Sequence, residues 1–310
     1  MDSKVPSIEI PYVDAQQQDC ITDEQAQFFL DNGFLVLRRV VVGDELKQAQ
    51  AEMTELTEIG MAGVDDNSDY MYGKGRKTGN NVLKRIEYVI DKKDSMKTLL
   101  GNPFILRSVE KIQGRNFIPT WDSMVLKMPD EGIIVPWHRD AEVPYGAVNP
   151  KPIFNVDFYM DDADLKSCLW VIPGSNKWSK EEIQARIRRD ADFDTSDAIP
   201  VPMQAGDAIF HDITVLHGSP AGDGNALRRT VYFEFREIET EHDYGPHVPA
   251  YIPLKQQVLL ACMERRRNDP AFAHEKPFEY RPFGPFAVTA AAEPPSTYRY
   301  PHGDYWRGKA

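Results

Sequence analysis

Cysteine is scarce in this chain of 310 residues, and the three that occur, Cys20, Cys168 and Cys262, form no closely spaced pair. A zinc knuckle or a dithiol redox motif requires two cysteines a few residues apart, so the sequence excludes both. The scarcity also favours a reducing compartment, and we expect a cytoplasmic protein.

Long apolar runs are missing as well. The first residues, MDSKVPSIEIPYVD, have neither the basic start nor the apolar core of a signal peptide. No stretch approaches the roughly 20 apolar residues that span a bilayer. Positive charge is in deficit, since 36 basic residues against 48 acidic ones give a net charge of -12, which repels nucleic acid and anionic lipid. We therefore expect a soluble intracellular protein with no nucleic-acid or membrane partner.

Glycines cluster with polar residues between Gly63 and Asn81, but this stretch lacks the spacing of a phosphate-binding loop and a strand that leads into a helix. Little in it would anchor to a core. We therefore predict a long mobile loop here and consider it a candidate lid.

Two kinds of pattern divide the rest of the chain. Up to about residue 115 helical signals dominate, with a capping box from Thr22 to Gln25 and apolar positions at helical spacing in 44–59, 94–100 and 103–112. One strand-like run, 34–42, interrupts them. From residue 118 to about 236, β-branched and aromatic runs alternate with turns, and one helix begins at Ser179. This order predicts a β-sandwich or jelly roll rather than alternating βαβ units.

After residue 250 an amphipathic helix, 254–266, precedes a proline- and aromatic-rich tail, which we expect to wrap the domain or to lie partly disordered. No linker or internal repeat is visible. We therefore predict a single domain over 1–310, with a helical part at about 20–115, a jelly-roll core at about 118–240 and a C-terminal helix and tail over 250–310.

His138 and Asp140 stand two positions apart in a strand-like run, so both side chains are predicted to project from one face of a sheet. An Fe(II) oxygenase requires two imidazoles and one carboxylate on one octahedral face, which leaves three positions for cosubstrate and O2. His217 qualifies as the third ligand because it lies between a strand-like run and a turn. Since Asp140 fills the carboxylate position, no ligand site is freed for chloride, and a halogenase is disfavoured.

A further strand-like run begins at Arg228, and a guanidinium binds a carboxylate in a bidentate geometry that lysine cannot reproduce. We predict that Arg228 anchors the distal carboxylate of 2-oxoglutarate. Arg229 would face the other way, and the two residues exchange roles if the strand phase is displaced by one position.

Four motifs occur in a specific order: TDEQAQFFLDNGFLVLRRVV, PWHRD, LWVIPGSN, and GDAIFHDITVLHGS followed by RRTVYFEF. With them the chain resembles the phytanoyl-CoA dioxygenase-like family of Fe(II)/2-oxoglutarate oxygenases over most of residues 20–236. Asn176 departs from the family pattern, in which histidine usually follows the PGS turn. The resemblance implies a mostly β fold with a helical cap, in which a double-stranded β-helix, the cupin-like jelly roll, is flanked by α-helices.

The resemblance also implies roles for particular residues. His138, Asp140 and His217 would bind iron and act in catalysis, and Arg228 would bind 2-oxoglutarate. Ser219 would add a hydroxyl to the same carboxylate. The implied cofactors are Fe(II) and the cosubstrates 2-oxoglutarate and O2.

Three more positions follow from the resemblance. Residues that match Ser123 and Asn155 line the cosubstrate pocket in relatives. Arg85 matches a basic position that reaches the pocket from the helical cap, and we expect it to contact the substrate.

Simpler interpretations apply to other conspicuous side chains. His211 neighbours Asp212, and adjacent strand residues point to opposite faces, so the two cannot chelate together and His211 is interpreted as structural. The histidines of loops and tail are expected at the surface: His242, His247, His274 and His302. The large tryptophans are expected in the core, with a place in a substrate pocket left open: Trp121, Trp137 and Trp170.

The resemblance implies oxidation of a small-molecule metabolite, with release of succinate and CO2. Hydroxylation is the default, desaturation, epoxidation and cyclisation stay open, and we favour specialised (secondary) metabolism. An acyl-CoA hydroxylase is one alternative. The phosphates of an acyl-CoA would need a basic docking patch, however, and Lys74, Arg76 and Lys77 form the one basic cluster nearby. A zinc hydrolase with the same ligands is another, but it would leave Arg228 and Ser219 without a purpose. A binding protein without turnover is a third, and the oligomeric state is open, a homodimer included.

Overall fold

The computed structural model describes residues 8–64, 69–129, 131, 134–144, 146–189, 193–221, 227–288 and 295–309. The helices in these ranges are α1 (Asp23–Asn32), α2 (Gly43–Ala62), α3 (Val89–Lys92), α4 (Asp94–Leu100), α5 (Pro103–Gln113), α6 (Lys180–Arg188), α7 (Ile238–Tyr244) and α8 (Tyr251–Arg267). The strands are β1 (Phe34–Leu37), β2 (Tyr70–Lys74), β3 (Asn81–Glu87), β4 (Phe117–Lys127), β5 (Val135–His138), β6 (Phe154–Tyr159), β7 (Leu169–Val171), β8 (Ile199–Val201), β9 (Ala208–Asp212), β10 (His217–Ser219) and β11 (Arg228–Glu237).

The strands form two sheets. Seven strands make the larger sheet in the order β1-β9-β6-β11-β4-β3-β2, and four make the smaller one in the order β5-β10-β7-β8. Neighbouring strands run antiparallel, as in the pairs of β11 with β4 and with β6. Two antiparallel sheets with flanking helices form the double-stranded β-helix, so the predicted jelly roll with a helical cap is confirmed.

The two faces of the larger sheet differ in chemistry. Strand β6 reads FNVDFY and is buried along its whole length. Its apolar positions, such as Phe154 and Phe158, join the main core with residues of α1, α2, α5 and α8. Burial of each such ring contributes about 1.5–3 kcal/mol. The intervening positions, Asn155 and Asp157, point away from the helices, so this second face is the polar floor of the barrel.

Local capping fixes several helix ends. Thr22 forms the predicted capping box with Gln25, and Gly33 ends α1 at a φ of 79°, a conformation that favours glycine. Ser179 caps α6 through Glu182 in the same way. The predicted helices at 94–100 and 103–112 are present as α4 and α5. None of the described helices combines the length and the apolar character that a membrane span needs.

The predicted mobile loop at 63–81 is wrong in its main part. Residues 70–74 form β2, which pairs with β3 at the edge of the larger sheet, and Tyr72 donates a hydrogen bond of 2.6 Å to the Gly60 carbonyl. An edge strand is held by backbone groups that every residue carries, so its side chains can be polar and give no strand signal. Residues 65–68 lie outside the described residues.

The C-terminal tail wraps the domain, which was one of the two arrangements expected from the sequence. Residues 298–307, here called the strap, are fixed at one end by an ion pair of 2.8 Å between Arg299 and Asp69. At the other end Arg307 donates 2.8 Å to the His247 carbonyl. Between these anchors His302 lies on the Trp121 ring, with 3.9 Å between the ring centroids. The strap therefore crosses one end of the barrel.

Candidate functional site

Three predicted ligands converge where β5 meets β10. His138 and His217 are direct partners in the antiparallel pairing, and their ring centroids are 4.3 Å apart. Asp140 Oδ1 lies 3.4 Å from His138 Nε2 and 3.7 Å from His217 Nε2. One ligand atom of each residue lies within 4.8 Å of the others, which is the arrangement that one metal ion requires.

The proximity of His138 and Asp140 does not come from alternation along one strand, as the sequence predicted. Strand β5 ends at His138, so Asp140 is not on the strand and the two-residue alternation does not position it. Instead the Asp140 amide donates a hydrogen bond of 2.9 Å to the Ile213 carbonyl, which holds the chain after the strand end. The predicted proximity is confirmed, but its cause is this backbone anchor.

Both imidazoles are oriented for metal binding. His138 Nδ1 lies 2.8 Å from the Pro136 carbonyl, and His217 Nδ1 lies 3.0 Å from the Val215 carbonyl. A carbonyl can only accept, so Nδ1 carries the proton in each ring and the lone pair of Nε2 faces the third ligand. Burial lowers the pKa of His217, which keeps this ring neutral, as a ligand must be.

The two oxygens of Asp140 have different surroundings. Oδ2 accepts hydrogen bonds of 2.9 Å from Asn155 and 3.0 Å from His211, whereas Oδ1 faces the two imidazoles. His211 donates in turn to Asp157 over 2.6 Å. Burial alone would lower the pKa of His211, but the charges of Asp157 and Asp140 raise it. The charged His211 therefore holds the outer oxygen and leaves the inner one for a metal.

This arrangement refines two sequence predictions. Asn155, expected in the cosubstrate pocket, contacts Asp140 and His211. His211, interpreted as structural, contacts a metal ligand and is a positioning residue. Its role depends on the pairing of β6 with β9, which puts Asn155 opposite His211 and which the sequence does not reveal.

A second group of polar side chains, here called the inner end, consists of Lys127, Ser219 and Arg228. Arg228 donates hydrogen bonds of 2.6 Å to the Ser167 carbonyl and 3.3 Å to Ser219 Oγ, and its buried Nε has no hydrogen-bond partner among the described residues. Lys127, the ladder partner of Arg228, contacts Ser219 Oγ through its Nζ. The sequence reasoning missed Lys127, since a lysine at a strand end is typical of a solvated surface.

The inner end fits a carboxylate. Lys127 and Arg228 are only 6% and 4% exposed, and within the described ranges no carboxylate lies within ion-pair distance of either. Buried cations are costly unless an anion accompanies them. Ser219 follows His217 by two residues on β10, which corresponds to about 6.6 Å. This span is comparable with the separation of the two carboxylates in a five-carbon keto diacid.

The strand phase at Arg228 is as predicted. Arg229 points to the opposite face, where it donates 2.7 Å and 2.8 Å to the two carboxylate oxygens of Asp161. It also donates 2.7 Å to Thr54 Oγ1 on α2. Arg229 is therefore tied to the helical layer, and Arg228 alone of the pair faces the barrel interior.

The opposite end of the barrel, here called the mouth, is lined by Trp121, Glu234 and His302. Trp121 is the ladder partner of Glu234, and Glu234 is the ladder partner of Asn155, so two strand spacings of about 4.8 Å separate Trp121 from Asn155. Arg85 lies 4.9 Å from the Trp121 ring centroid and donates 3.1 Å to Ser123 Oγ. Arg85 and Ser123 are thus brought together beside the mouth.

The expectation of surface positions is wrong for two histidines. His247 is 3% exposed and bonded to Glu241 over 2.8 Å. His302 is partly buried against Trp121, since the strap brings it there. His242 and His274 are exposed, as predicted. Trp137 is a core residue, also as predicted, and stacks on Phe193 at 5.0 Å.

Comparison with known proteins agrees with this geometry. Residues 29–230 match the family model described as Phytanoyl-CoA dioxygenase (PhyH). The "Phytanoyl-CoA dioxygenase domain-containing protein 1" of Danio rerio is 24% identical over 71% of this chain and 92% of its own length. The peroxisomal phytanoyl-CoA dioxygenase of Mus musculus is 24% identical over 69% of this chain and 68% of its own.

Solved structures share the fold. AviO1 from Streptomyces viridochromogenes Tue57 has a TM-score of 0.58 and 27% identity, with 69% of this chain and 93% of AviO1 covered. EctD from S. alaskensis, solved with 2-oxoglutarate and 5-hydroxyectoine, has a TM-score of 0.58 and 17% identity, with 71% and 77% covered.

The matched family segment spans more than half of the chain and contains all three ligands of the His/Asp/His triad. Fe(II) and 2-oxoglutarate are the cofactors that accompany this triad. The chain therefore belongs to the phytanoyl-CoA dioxygenase family and is an Fe(II)/2-oxoglutarate-dependent dioxygenase.

Proposed function

We propose that this enzyme oxidises a small organic metabolite, with hydroxylation of a C–H bond as the default outcome. Iron and 2-oxoglutarate supply the oxidising chemistry when bound: one atom of O2 enters succinate, the other enters the substrate, and CO2 is released. The observation that supports this best is the position of the buried cationic inner end two residues along β10 from His217. A metal-binding triad and an anion site at that spacing suit a keto diacid.

In this proposal the inner end binds and orients the cosubstrate. Arg228 and Ser219 bind its distal carboxylate, and the unpartnered Nε of Arg228 gains an acceptor. Because both residues are buried, the carboxylate loses its water and the ion pair strengthens. The keto acid end is then directed along β10 toward His217.

The residues behind Asp140 keep the third ligand in place. Asn155 and His211 hold Oδ2, and Asp157 holds His211, so the carboxylate cannot rotate when ligands exchange. Such supporting hydrogen bonds also tune the basicity of a metal ligand. Their function is positioning, since their polar atoms contact the ligand rather than the reacting atoms.

The substrate is proposed to enter at the mouth. Trp121 and His302 offer an aromatic surface there, and Arg85, which forms an ion pair of 2.8 Å with Glu87, lies beside Ser123. This surface faces the same barrel floor as Asn155, which contacts Asp140. A substrate packed on it would present a C–H bond to the metal side of the barrel, and Ser123 and Arg85 would lie where cosubstrate and substrate meet.

The alternatives fit less well. A zinc hydrolase with the same ligands gives no purpose to a buried arginine and a buried lysine that lack a carboxylate partner among the described residues. An acyl-CoA substrate would need a basic docking surface for its phosphates, and the exposed Lys74, Arg76 and Lys77 are few in a chain of net charge -12. We include a cytoplasmic location in the proposal, since Cys20, Cys168 and Cys262 are free thiols.

Decarboxylation assays test the proposal. Protein purified without oxygen and loaded with Fe(II) should convert 2-oxoglutarate to succinate slowly alone and faster with a productive compound from a panel of small metabolites. Acyl-CoA esters form a second panel. Asp140→Ala should remove succinate formation, whereas Asp243→Ala, at an exposed aspartate, should retain it.

The results separate the candidates. Stimulation by acyl-CoA esters alone would replace the small metabolite by a thioester substrate. Hydrolysis by zinc-loaded protein without O2, with no 2-oxoglutarate consumption by the iron form, would refute the oxygenase proposal.

A further inference from the structure

We propose that Lys127 is a second cationic contact for the distal carboxylate of 2-oxoglutarate, and that it becomes charged as this carboxylate binds. This inference rests on the proposed role of the inner end as the cosubstrate site. It adds a residue that binds the cosubstrate and a proton that accompanies binding.

The geometry brings Lys127 to the same point as Arg228. The two residues are ladder partners at the ends of β4 and β11. Lys127 Nζ contacts Ser219 Oγ and the Pro220 carbonyl, and Arg228 Nη1 lies 3.3 Å from the same Ser219 Oγ. The Ser219 hydroxyl therefore lies between the Arg228 guanidinium and the Lys127 amine. An anion that binds Ser219 and Arg228 comes within reach of Lys127.

Burial makes this lysine unusual. It is 6% exposed, and its contacts are neutral oxygens. A buried ammonium without an anion is costly, and a second cation beside it adds repulsion. Burial, reinforced by the charge of Arg228, lowers the pKa of Lys127 to about 6. Near neutral pH, and before an anion binds, Lys127 is therefore mostly a neutral amine.

The groups that face Lys127 allow only one change of charge. Arg228 on β11 carries a guanidinium, which is a permanent cation in proteins, and burial raises the pKa of the Cys168 thiol, which precedes β7, to about 11. Tyr159 on β6 lies near Arg228, and burial raises its pKa as well. A carboxylate that enters here meets one permanent cation and one amine. Its negative charge favours the ammonium form, so Lys127 takes up a proton from solvent and becomes the second cation.

The experiment is calorimetric titration of 2-oxoglutarate into the Fe(II)-loaded protein without oxygen, at about pH 7.5. Repeating the titration in two buffers with different ionisation enthalpies gives the number of protons taken up on binding. The variants are Lys127→Met, which resembles the neutral amine in shape, and Lys127→Arg, which carries a permanent charge. Lys47→Met is the matched control, since Lys47 is exposed and pairs only with Asp44 among the described residues.

For each 2-oxoglutarate bound, we expect wild type and Lys47→Met to take up as much as one proton more than either Lys127 variant. Lys127→Met should bind 2-oxoglutarate about 10- to 100-fold more weakly, because the variant loses a hydrogen bond to a charged group. The proton count is decisive because a merely structural lysine would not change it. Thermal unfolding checks that each variant is folded.

Two results would overturn the inference: unchanged affinity in Lys127→Met, or equal proton uptake in wild type and both Lys127 variants. Arg228→Met distinguishes this failure from failure of the proposed function. If wild type binds 2-oxoglutarate and Arg228→Met does not, the cosubstrate site stands even when Lys127 fails. If iron-loaded wild type does not bind 2-oxoglutarate at all, both proposals are wrong.

Discussion

The inner end and the mouth of the barrel are built in different ways. The inner end uses residues of β4, β10 and β11, and its three side chains are at most 6% exposed. The mouth combines Trp121 and Glu234 from the sheet with His302 from the strap, which arrives from the far end of the chain. Hydrogen bonds of the sheet hold the inner end in place, whereas ion pairs and ring contacts hold the strap at the mouth. In the proposed function, the cosubstrate site is therefore part of the fold, and the substrate site depends on an added segment.

The largest effect should come from Arg228→Met. Loss of a buried charged contact costs about 2–3 kcal/mol, so 2-oxoglutarate should bind about 30- to 150-fold more weakly. Arg229→Met is the matched control, because Arg229 faces Asp161 on the other side of the sheet. It should lower the free energy of unfolding and leave the affinity for 2-oxoglutarate unchanged. Equal losses of affinity in the two variants would break the distinction between the two faces.

Between the two ends, His211→Asn should weaken iron binding about 10- to 100-fold, since His211 holds Asp140 over 3.0 Å. Fe(II) titration against a competing chelator measures this. His242→Asn, at an exposed histidine, should bind iron as wild type does. An unchanged iron affinity in His211→Asn would show that Asn155 alone positions the carboxylate.

At the mouth we expect a dependence of stability on pH. Burial, aided by nearby His247, lowers the pKa of His302 from 6.5 to about 4. The unfolded chain therefore takes up this proton first as the pH falls, so the stabilisation is complete above about pH 6.5 and is lost toward pH 4. Between pH 7 and 5, wild type should lose about 1 kcal/mol more unfolding free energy than His302→Asn. Urea unfolding at both pH values measures this, and parallel losses would contradict it.

The smallest effect should be that of His302→Ala on the inner end. Its affinity for 2-oxoglutarate should stay within about twofold of wild type, since no residue of the inner end touches the strap among the described contacts. Its unfolding free energy should fall by about 0.5–1.5 kcal/mol through the lost ring contact with Trp121. His274→Ala, at an exposed site, is the control. A large loss of 2-oxoglutarate affinity in His302→Ala would join the two ends into one site.

Local signals in the sequence predicted the parts of this molecule that local forces determine. Capping boxes act over three residues, so α1 and α6 were visible at Thr22 and Ser179. The β-branched and aromatic runs separated by turns between residues 118 and 236 predicted the jelly roll, and one of these runs, FNVDFY, forms the buried strand β6. The triad was found because its chemistry requires these residue types, although the anchor of Asp140 was not visible.

Contacts between distant positions were not predictable. Asn155 meets His211 across 56 positions, and Lys127 meets Ser219 across 92, through a strand order that one sequence does not reveal. Strand β2 was missed because its pairing uses backbone groups. His302 was assigned to the surface because tails usually are solvated, yet Arg299 and Arg307 hold the strap against the domain.

The anchoring of the strap has a practical consequence for work with this protein. Trp306 pairs with His247, and Arg307 donates a hydrogen bond to the carbonyl of the same residue, so this part of the strap is held beside the mouth. A C-terminal purification tag would add its residues close to the mouth, where the substrate is proposed to enter. Assays of coupling between oxygen consumption and product formation should therefore use protein from which such a tag has been cleaved.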